Sequence, residues 1–150
     1  MLRIYNILEK IEFLKEVATL EYEEWADKPE EDKEARIKGK IEKIKIKLKG
    51  KDFCKLILLD DDKLIGFISI FPQDCDECPK LSPWYATMYV KKEYRGQGYS
   101  PILNDAILKE ARKRGYKEIY LKTTLNDYYE KFGAIFVKKI SKEKIYKFEL

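Results

Sequence analysis

The chain has 150 residues, enough for one ordinary domain with a hydrophobic core, and we expect residues 1–150 to form it. Hydrophobic residues make up 45% and aromatics 13%, which excludes a disordered chain. Basic and acidic residues number 31 and 27, so the net charge of +4 does not indicate nucleic acid, although it suits a polyanionic small ligand such as a nucleotide. No apolar run approaches the roughly 18–20 residues of a membrane span, and Met1 opens no secretory signal, so a cytoplasmic protein without a membrane partner is expected.

Histidine is absent, and this excludes Ser-His-Asp and Cys-His catalysis together with the H-E-x-x-H metal motif. The three cysteines are an odd number, which argues against a framework of disulfides. Cys75 and Cys78 have C-x-x-C spacing, but structural zinc usually takes four nitrogen or sulfur ligands and only Cys54 remains. We therefore expect free thiols near a turn and no metal site.

The first third of the chain predicts a short strand and two helices. Residues 2–5 form the strand, and apolar residues at helical spacing predict a helix from about 11 to 25, ended by Asp27-Lys28-Pro29. The same spacing predicts a second helix over 37–47. Residues 44–49 also alternate with period two, as a strand would, but the helical spacing begins earlier and is preferred.

The remaining two thirds of the chain contain most of the predicted strands. These lie at residues 53–59, 64–71, 84–90, 118–121, 134–137 and 144–148. A helix is predicted from Pro101 to about Gly115, and a short one over 126–132, stopped by Gly133. This mixed order, with hairpins, indicates an α/β (α+β) domain rather than a doubly wound parallel sheet.

The segment 88–101 carries the strongest chemical signal, because a strand runs into a glycine-containing turn and then into a helix. Ser100 is a suitable helix N-cap, with Pro101 at the first helical position. Gly96 and Gly98 allow unusual backbone angles and close approach of a ligand. Backbone N–H groups beside the positive end of the helix then form an anion site.

Arg95 adds a charge that can pair with phosphate. The segment fits neither the P-loop pattern nor the three-glycine Rossmann fingerprint. Arg95-Gly-Gln-Gly-Tyr-Ser100 instead resembles the R/Q-x-x-G-x-G/A signature of the GNAT acetyltransferase superfamily. Ser100 departs from the usual Gly or Ala there, but serine is small and its hydroxyl can cap the helix or meet a phosphate.

A second resemblance lies downstream. Residues 123–133 are similar to the family's N-x-x-x-Y-E-K-x-G segment, with a different asparagine spacing. Leu81-Ser-Pro-Trp84 resembles a bacterial subgroup with Pro-Trp at that place. The likeness covers residues 52–138, whereas the first 50 residues match only in having two helices. Two spaced motifs in the expected contexts are more specific than either alone.

The resemblance implies a six- or seven-stranded, mostly antiparallel sheet with about four helices, and acetyl-CoA bound where the fourth and fifth strands splay apart. The backbone of Met88 and Val90 would hydrogen-bond the pantetheine arm as an added strand does. Asn126 would contact the coenzyme near its thiol. Besides Arg95, the residues implied to hold the pyrophosphate through their N–H groups are Gly96, Gln97, Gly98, Tyr99 and Ser100.

Tyr129 matches the family tyrosine that protonates the departing thiolate, and its spacing to Gly133 favours it over Tyr128. A phenol with a pKa near 10 is protonated at neutral pH and suits an alkyl thiolate. No glutamate lies at Ala86-Thr87-Met88 to act as a base. Glu24 and Asp74 are candidates only by expected proximity, so a water chain is the default.

The implied activity is acetyl transfer from acetyl-CoA to a primary amine by direct attack. A CoA-binding regulator without catalysis stays open as an alternative, as does a nucleic-acid-binding module that uses residues 38–51, although no nucleic-acid partner is expected. The sequence leaves the acceptor open between a small-molecule and a protein amine. It also leaves the oligomeric state open, with a homodimer among the options.

Overall fold

A computed structural model describes residues 1–26 and 32–150. Seven strands form one sheet in the order β1-β2-β3-β4-β5-β7-β6, with β4 and β5 parallel and the other neighbours antiparallel. The strands are β1 (Leu2–Asn6), β2 (Cys54–Asp60), β3 (Lys63–Phe71), β4 (Trp84–Val90), β5 (Glu118–Thr123), β6 (Ile135–Lys139) and β7 (Lys144–Glu149). The prediction of a mixed, mostly antiparallel sheet is confirmed.

Three α-helices accompany the sheet in the described part of the chain: α1 (Leu14–Trp25), α2 (Lys33–Lys47) and α3 (Tyr99–Lys113). The ambiguous segment 44–49 belongs to α2 up to Lys47. Burial explains why, because Ile44 and Leu48 are buried while Ile46 is 67% exposed, whereas a strand would place all of them on one face. The predicted helix stop at Asp27-Lys28-Pro29 lies outside the described residues.

The predicted helix over 126–132 is shorter than expected. Only Tyr129–Phe132 is helical, as a 3₁₀ turn. Asp127 has a φ of 56°, in the left-handed region, which breaks the helical path between Asn126 and the tyrosines. Gly133 ends the turn with a φ of 95°, as predicted.

Helices cover the two faces of the β1–β4 half of the sheet. On one face α3 buries Leu103, Ile107 and Ala111 against strand residues such as Leu58. On the other, α1 and α2 bury a second apolar cluster that includes Val17. Burying both faces explains the near-continuous apolar runs of β2 and β3, since strands covered on both sides need no polar alternation.

The fourth and fifth strands splay apart, as predicted. In the described chain Trp84 and Tyr120 form the single register pair of this parallel ladder, and the amide of Tyr120 donates to the Pro83 carbonyl at 3.0 Å. Trp84 is fully buried and its indole N–H donates to the Leu81 carbonyl at 2.8 Å, which holds this end together. The rest of β4 has an open edge toward β5.

Candidate active site

A cavity of about 380 Å³, here called the loop cavity, lies beside the open end of β4. Its lining comes from α1, β4, the loop 95–98, the start of α3 and the segment before β6. The lining residues are Glu24, Met88, Tyr89, Val90, Tyr94, Arg95, Gly96, Gly98, Tyr99, Ser100 and Tyr128. Of the described residues implied to hold the coenzyme, Gln97 and Asn126 are absent from this lining.

The loop 95–98 exposes its backbone to this cavity. Gly96 and Gly98 have φ angles of 75° and 86°, which residues with side chains rarely adopt. A Cβ added at either position would meet no atom within 4 Å, so a ligand has room to approach. The first amides of α3 lack helical partners and carry the positive end of the helix dipole. The geometry therefore suits an anion.

The predicted N-cap role of Ser100 is wrong. The helix begins at Tyr99, and Gly98 is its N-cap, with no side-chain cap. The left-handed glycine turns the chain into the helix two residues earlier than predicted, which leaves Ser100 and Pro101 inside the first turn. The Ser100 hydroxyl instead lies 3.4 Å from the Tyr128 hydroxyl, at the cavity wall.

The predicted phosphate-pairing side chain is held against the end of β4. Arg95 Nε donates to the Val90 carbonyl at 2.7 Å, and its guanidinium carbon lies 5.3 Å from the centre of the Tyr89 ring. The other guanidinium N–H groups are not used by this bond. Gln97 is exposed and donates to the Glu93 carbonyl at 3.2 Å. Arg95 is thus at the cavity, and Gln97 braces the loop.

Strand β4 carries a bulge at the middle of the open edge. Its register with β3 shifts between Phe67 and Ser69, and Thr87 has a φ of 50°. Such a bulge redirects side chains. Met88 beyond it lines the loop cavity and also a second cavity, so it marks the place where the two adjoin.

The second cavity, here called the gap cavity, measures about 500 Å³ and lies between β4 and β5. It is lined by aromatic, carboxylate and ammonium groups from all sides of the gap. The lining residues are Glu21, Trp25, Lys40, Lys47, Phe71, Asp74, Tyr85, Ala86, Thr87, Met88, Leu121, Lys122, Tyr129 and Glu143.

Tyr129 enters the gap cavity, packed edge to face on Tyr85 at a ring separation of 5.8 Å. Burial, and then the neighbouring Tyr128, raise the pKa of Tyr129 to about 12. The phenol is therefore protonated at neutral pH, but it is a weaker acid than the pKa near 10 assumed from sequence. It suits donation of a hydrogen bond or proton to a stronger base.

Tyr128 and Tyr129 are adjacent in sequence but line different cavities. Tyr128 lies in the loop cavity, near Ser100, whereas Tyr129 lies in the gap cavity. Sequence reasoning treated Tyr128 only as a competitor of Tyr129. It also missed Tyr94, which packs edge to face on Tyr99 in the same lining. Both lie within the two motif segments, but neither segment by itself gave them a role among the 11 tyrosines of the chain.

The other predicted residues divide between the two cavities and the surface. Asn126 is exposed, its side-chain oxygen accepts a hydrogen bond from the Lys144 ammonium on β7, and it is not among the residues that line the gap cavity. Glu24 lines the loop cavity. Asp74 lines the gap cavity, where burial raises the pKa of its carboxyl despite the opposing charge of Lys122.

A buried chain of polar side chains connects α1 to β4 across β2 and β3, and both of its ends line the gap cavity. It joins Glu21, Lys55, Ser69 and Thr87, and sequence reasoning did not detect it. Lys55 lies inside the apolar run of β2, where the pattern indicates only core. The one signal that could have revealed the polar chain is a single lysine within an otherwise apolar strand, because lysine is almost never fully buried without a partner.

The chain belongs to the Acetyltransferase (GNAT) family, whose sequence model matches residues 4–134. Members of this family are acyl-CoA-dependent acetyltransferases. The chain is 34% identical over 89 residues to N-alpha-acetyltransferase 30 of Schizosaccharomyces pombe, an alignment that covers 56% of this chain and 59% of that relative. This chain therefore spans less than two thirds of the relative.

Solved structures share the fold over the whole chain. A PaiA N-acetyltransferase from Thermoplasma acidophilum, in complex with coenzyme A, aligns with a TM-score of 0.68 and 22% identity, covering 100% of this chain and 99% of that one. An N-acetyltransferase from Staphylococcus aureus Mu50 aligns with a TM-score of 0.72 and 14% identity, covering 99% and 98%.

Other features of the described residues bear on the remaining expectations. Cys54, Cys75 and Cys78 are buried free thiols. Within residues 1–26 and 32–150, no cluster of three or more candidate ligands is placed to hold a metal ion. Over the same residues, none of the helices combines the length and apolar character needed to cross a bilayer.

Proposed function

We propose that this chain transfers an acetyl group from acetyl-CoA to a primary amine. The observation that carries the proposal is the meeting of two cavities at Met88. One has a loop whose geometry suits an anion, and the other has a protonated, half-buried phenol. A coenzyme anchored in the first would present its thioester to the second, where the acceptor amine would enter.

The loop cavity fits a pyrophosphate. The open space above Gly96 and Gly98 lets the backbone amides approach an anion closely, and Arg95 adds a positive charge. Met88 and Val90 present an open strand edge, along which an extended pantetheine arm would add as a strand does. Arg95 already bonds the Val90 carbonyl, so it would share or release that acceptor.

The bound coenzyme supplies the activated acetyl group and the thiolate leaving group. Tyr129 would donate its phenolic proton toward the sulfur as negative charge develops there. Because its pKa is about 12, full proton transfer to an alkyl thiolate is uphill, and hydrogen bonding to the thiolate supplies much of the stabilisation. The Tyr85 ring holds the phenol in place.

The acceptor would enter the gap cavity, whose carboxylates are Glu21, Asp74 and Glu143. Lys40, Lys47 and Lys122 balance these charges in the same lining, so the cavity offers an amine hydrogen-bond acceptors rather than a net negative charge, while the aromatic rings accommodate its carbon skeleton. The name of the yeast relative specifies an α-amino group, which makes a peptide amino terminus the first acceptor to test. A small aliphatic amine is the second.

The test is release of free thiol from acetyl-CoA in the presence of amines. The probes are a peptide with a free amino terminus, the same peptide blocked there but carrying a lysine, an aminoglycoside and a simple alkylamine. Acetylated product should form with at least one probe, detected by mass spectrometry. Tight acetyl-CoA binding with no product from any probe would instead identify a CoA-binding module without catalysis.

A further inference from the structure

The buried polar chain of Glu21, Lys55, Ser69 and Thr87 has one direction of hydrogen bonding. The Lys55 ammonium donates to Glu21 Oε1 at 3.0 Å and to Ser69 Oγ at 2.7 Å. Ser69 is 0% exposed, and its hydroxyl oxygen lies 2.6 Å from Thr87 Oγ1. An ammonium accepts no hydrogen bond, so within the part of the protein that the structure describes Thr87 is the side chain that can accept the Ser69 proton. The bonds therefore run from Lys55 through Ser69 to Thr87.

This direction leaves the proton of Thr87 available to a group in the gap cavity. A threonine hydroxyl has one proton, and Thr87 does not need it for Ser69, which already donates to its oxygen. Thr87 lines the gap cavity and is only partly buried, so a bound molecule can reach it. Hydrogen bonds in a row polarise one another. The positive charge of Lys55 therefore makes the Thr87 hydroxyl a stronger donor and a weaker acceptor.

Two features make this arrangement costly to the fold. Three phenylalanine rings surround the Lys55 ammonium at 5.6 to 5.9 Å: Phe53, Phe67 and Phe71. A buried ion pair rarely stabilises a fold better than apolar residues of the same volume. Thr87 has a φ of 50°, which is a genuine outlier for a β-branched residue, and such strain clusters at active sites and ligand clamps. A chemical role for the Thr87 hydroxyl gives a reason for both costs.

Thr87 also lies where the acetyl group of a bound coenzyme would be. With the pyrophosphate on the loop 95–98, the pantetheine arm would run along Val90 and Met88 toward the middle of β4. Thr87 is the next residue of the strand, and Tyr129 lines the same cavity. The thioester would then lie between the two hydroxyl groups, with its sulfur toward Tyr129 and its carbonyl oxygen toward Thr87.

We propose that the Thr87 hydroxyl donates a hydrogen bond to the thioester carbonyl oxygen and stabilises the oxyanion that forms there. This inference rests on the proposed function, because it assigns a further catalytic residue to that reaction. As the amine nitrogen bonds to the carbonyl carbon, the C=O π pair moves onto oxygen, and Thr87 stabilises that charge without giving up its proton. The C=O bond then re-forms, and the C–S bond breaks with its electrons on sulfur. The nitrogen loses its surplus proton to water.

The gap cavity also contains other donors, which could serve the same oxygen. They are the phenol of Tyr129 and the ammonium groups of Lys40, Lys47 and Lys122. Thr87 differs from these lysines because a short side chain on a strand, bonded to the fully buried Ser69, is already fixed before the reaction. Donors fixed in advance stabilise a transition state without a cost of reorganisation.

Thr87→Val removes the donor, keeps the β-branched shape and leaves the Lys55–Glu21 ion pair intact. With the best amine of the probe panel, its kcat should fall about 100- to 1,000-fold, the usual loss when one oxyanion donor is removed, while the KM for acetyl-CoA stays within about threefold. Thr87→Ser keeps the hydroxyl and should stay within about threefold of wild type. Ser69→Ala keeps the Thr87 hydroxyl but removes its polarising donor, so its loss should be smaller than that of Thr87→Val.

The carbonyl stretch of bound acetyl-CoA gives a readout that a purely structural role of Thr87 would not move. Infrared difference spectra with a ¹³C-labelled carbonyl isolate this band, and no acceptor amine is needed. A donor on the carbonyl oxygen weakens the C=O bond. The band should therefore lie at lower frequency in wild type and Thr87→Ser than in Thr87→Val. If Thr87→Val fails to fold by circular dichroism, Thr87→Ala supplies both measurements.

An equal band frequency in wild type and the folded Thr87→Val protein overturns the assignment, and so does a kcat of that variant within about threefold of wild type. A band moved by Tyr129→Phe but not by Thr87→Val overturns it in favour of the phenol. A wild type that binds acetyl-CoA but acetylates no probe overturns the proposed transfer, and the band shift then still decides the hydrogen bond. A wild type that does not bind acetyl-CoA overturns both.

Discussion

Tyr129 is the residue on which the proposed chemistry depends. Tyr129→Phe keeps the ring packing on Tyr85 and removes the phenolic hydroxyl, with the only proton that this side chain can give. We expect kcat to fall by about 100- to 10,000-fold while the affinity for acetyl-CoA stays unchanged. The measurement is steady-state kinetics with the best amine, together with calorimetric binding of acetyl-CoA.

Two other tyrosines serve as comparisons. Tyr116 lines neither cavity and donates to Asp52 at 3.0 Å, so Tyr116→Phe should turn over as wild type does. Tyr128→Phe should act mainly on the KM for acetyl-CoA, because its hydroxyl faces the loop cavity. Turnover by Tyr129→Phe within about threefold of wild type would show that water protonates the thiolate.

The raised pKa of Tyr129 predicts the alkaline side of the rate profile. A general acid is active while protonated, so activity is lost as the pH rises through its pKa. With a pKa of about 12, kcat should show no fall between pH 8 and 10.5 that depends on Tyr129. A free phenol would give a fall centred near pH 10. Such a fall in the wild type, absent from Tyr129→Phe, would contradict the burial that we assign to this side chain.

The loop between β4 and α3 is the element on which cofactor binding depends. Gly98 and Gly115 share a φ of 86°, and a Cβ at either would meet nothing within 4 Å. Gly98→Val and Gly115→Val therefore strain the backbone alike, by about 1–3 kcal/mol. Only the first places a side chain beside the proposed pyrophosphate, so its affinity for acetyl-CoA should fall more than tenfold.

The Gly115→Val variant controls for strain, since it should bind acetyl-CoA as wild type does once both variants are shown to be folded. Isothermal calorimetry gives the affinities. Equal affinities in the two variants would place the coenzyme elsewhere than on this loop.

The stability of the whole molecule depends in part on the close approach of β3, β4 and α3 at Gly66. A Cβ at this position would lie 2.3 Å from the Tyr89 carbonyl oxygen of β4 and 3.1 Å from Leu103 of α3. Gly66→Ala should thus lower the free energy of unfolding by about 1–3 kcal/mol, as overpacking does. Gly39 lies in α2 with nothing within 4 Å. The same substitution there should instead stabilise the protein by about 0.5–1 kcal/mol.

Denaturant titration of both alanine variants measures these opposite signs. A Gly66→Ala protein as stable as wild type would mean that β3 and β4 can move apart at little cost. In that case a rigid β3–β4 pair would not be what holds β4 away from β5.

Single helices and strands could be predicted from the sequence, because each depends mainly on residues close together in the chain. Helical spacing identified α2, and the apolar, β-branched and aromatic content of 84–90 identified β4. The short motif around Gly96 and Gly98 predicted an exposed backbone, since two glycines before a helix permit left-handed turns. The predicted helix over 126–132 was too long, because Asp127 adopts a left-handed backbone angle that the spacing of apolar residues does not reveal.

The sequence by itself determined the family, the strand and helix order and the loop proposed to hold a pyrophosphate, since each is encoded in contiguous residues. Only the tertiary structure decided that Tyr128 and Tyr129 line different cavities and that Asn126 faces Lys144. It also brought together Glu21, Lys55, Ser69 and Thr87, which lie on four elements and meet because α1 packs across neighbouring strands. Contacts between distant segments depend on how layers pack, and no local pattern records that packing.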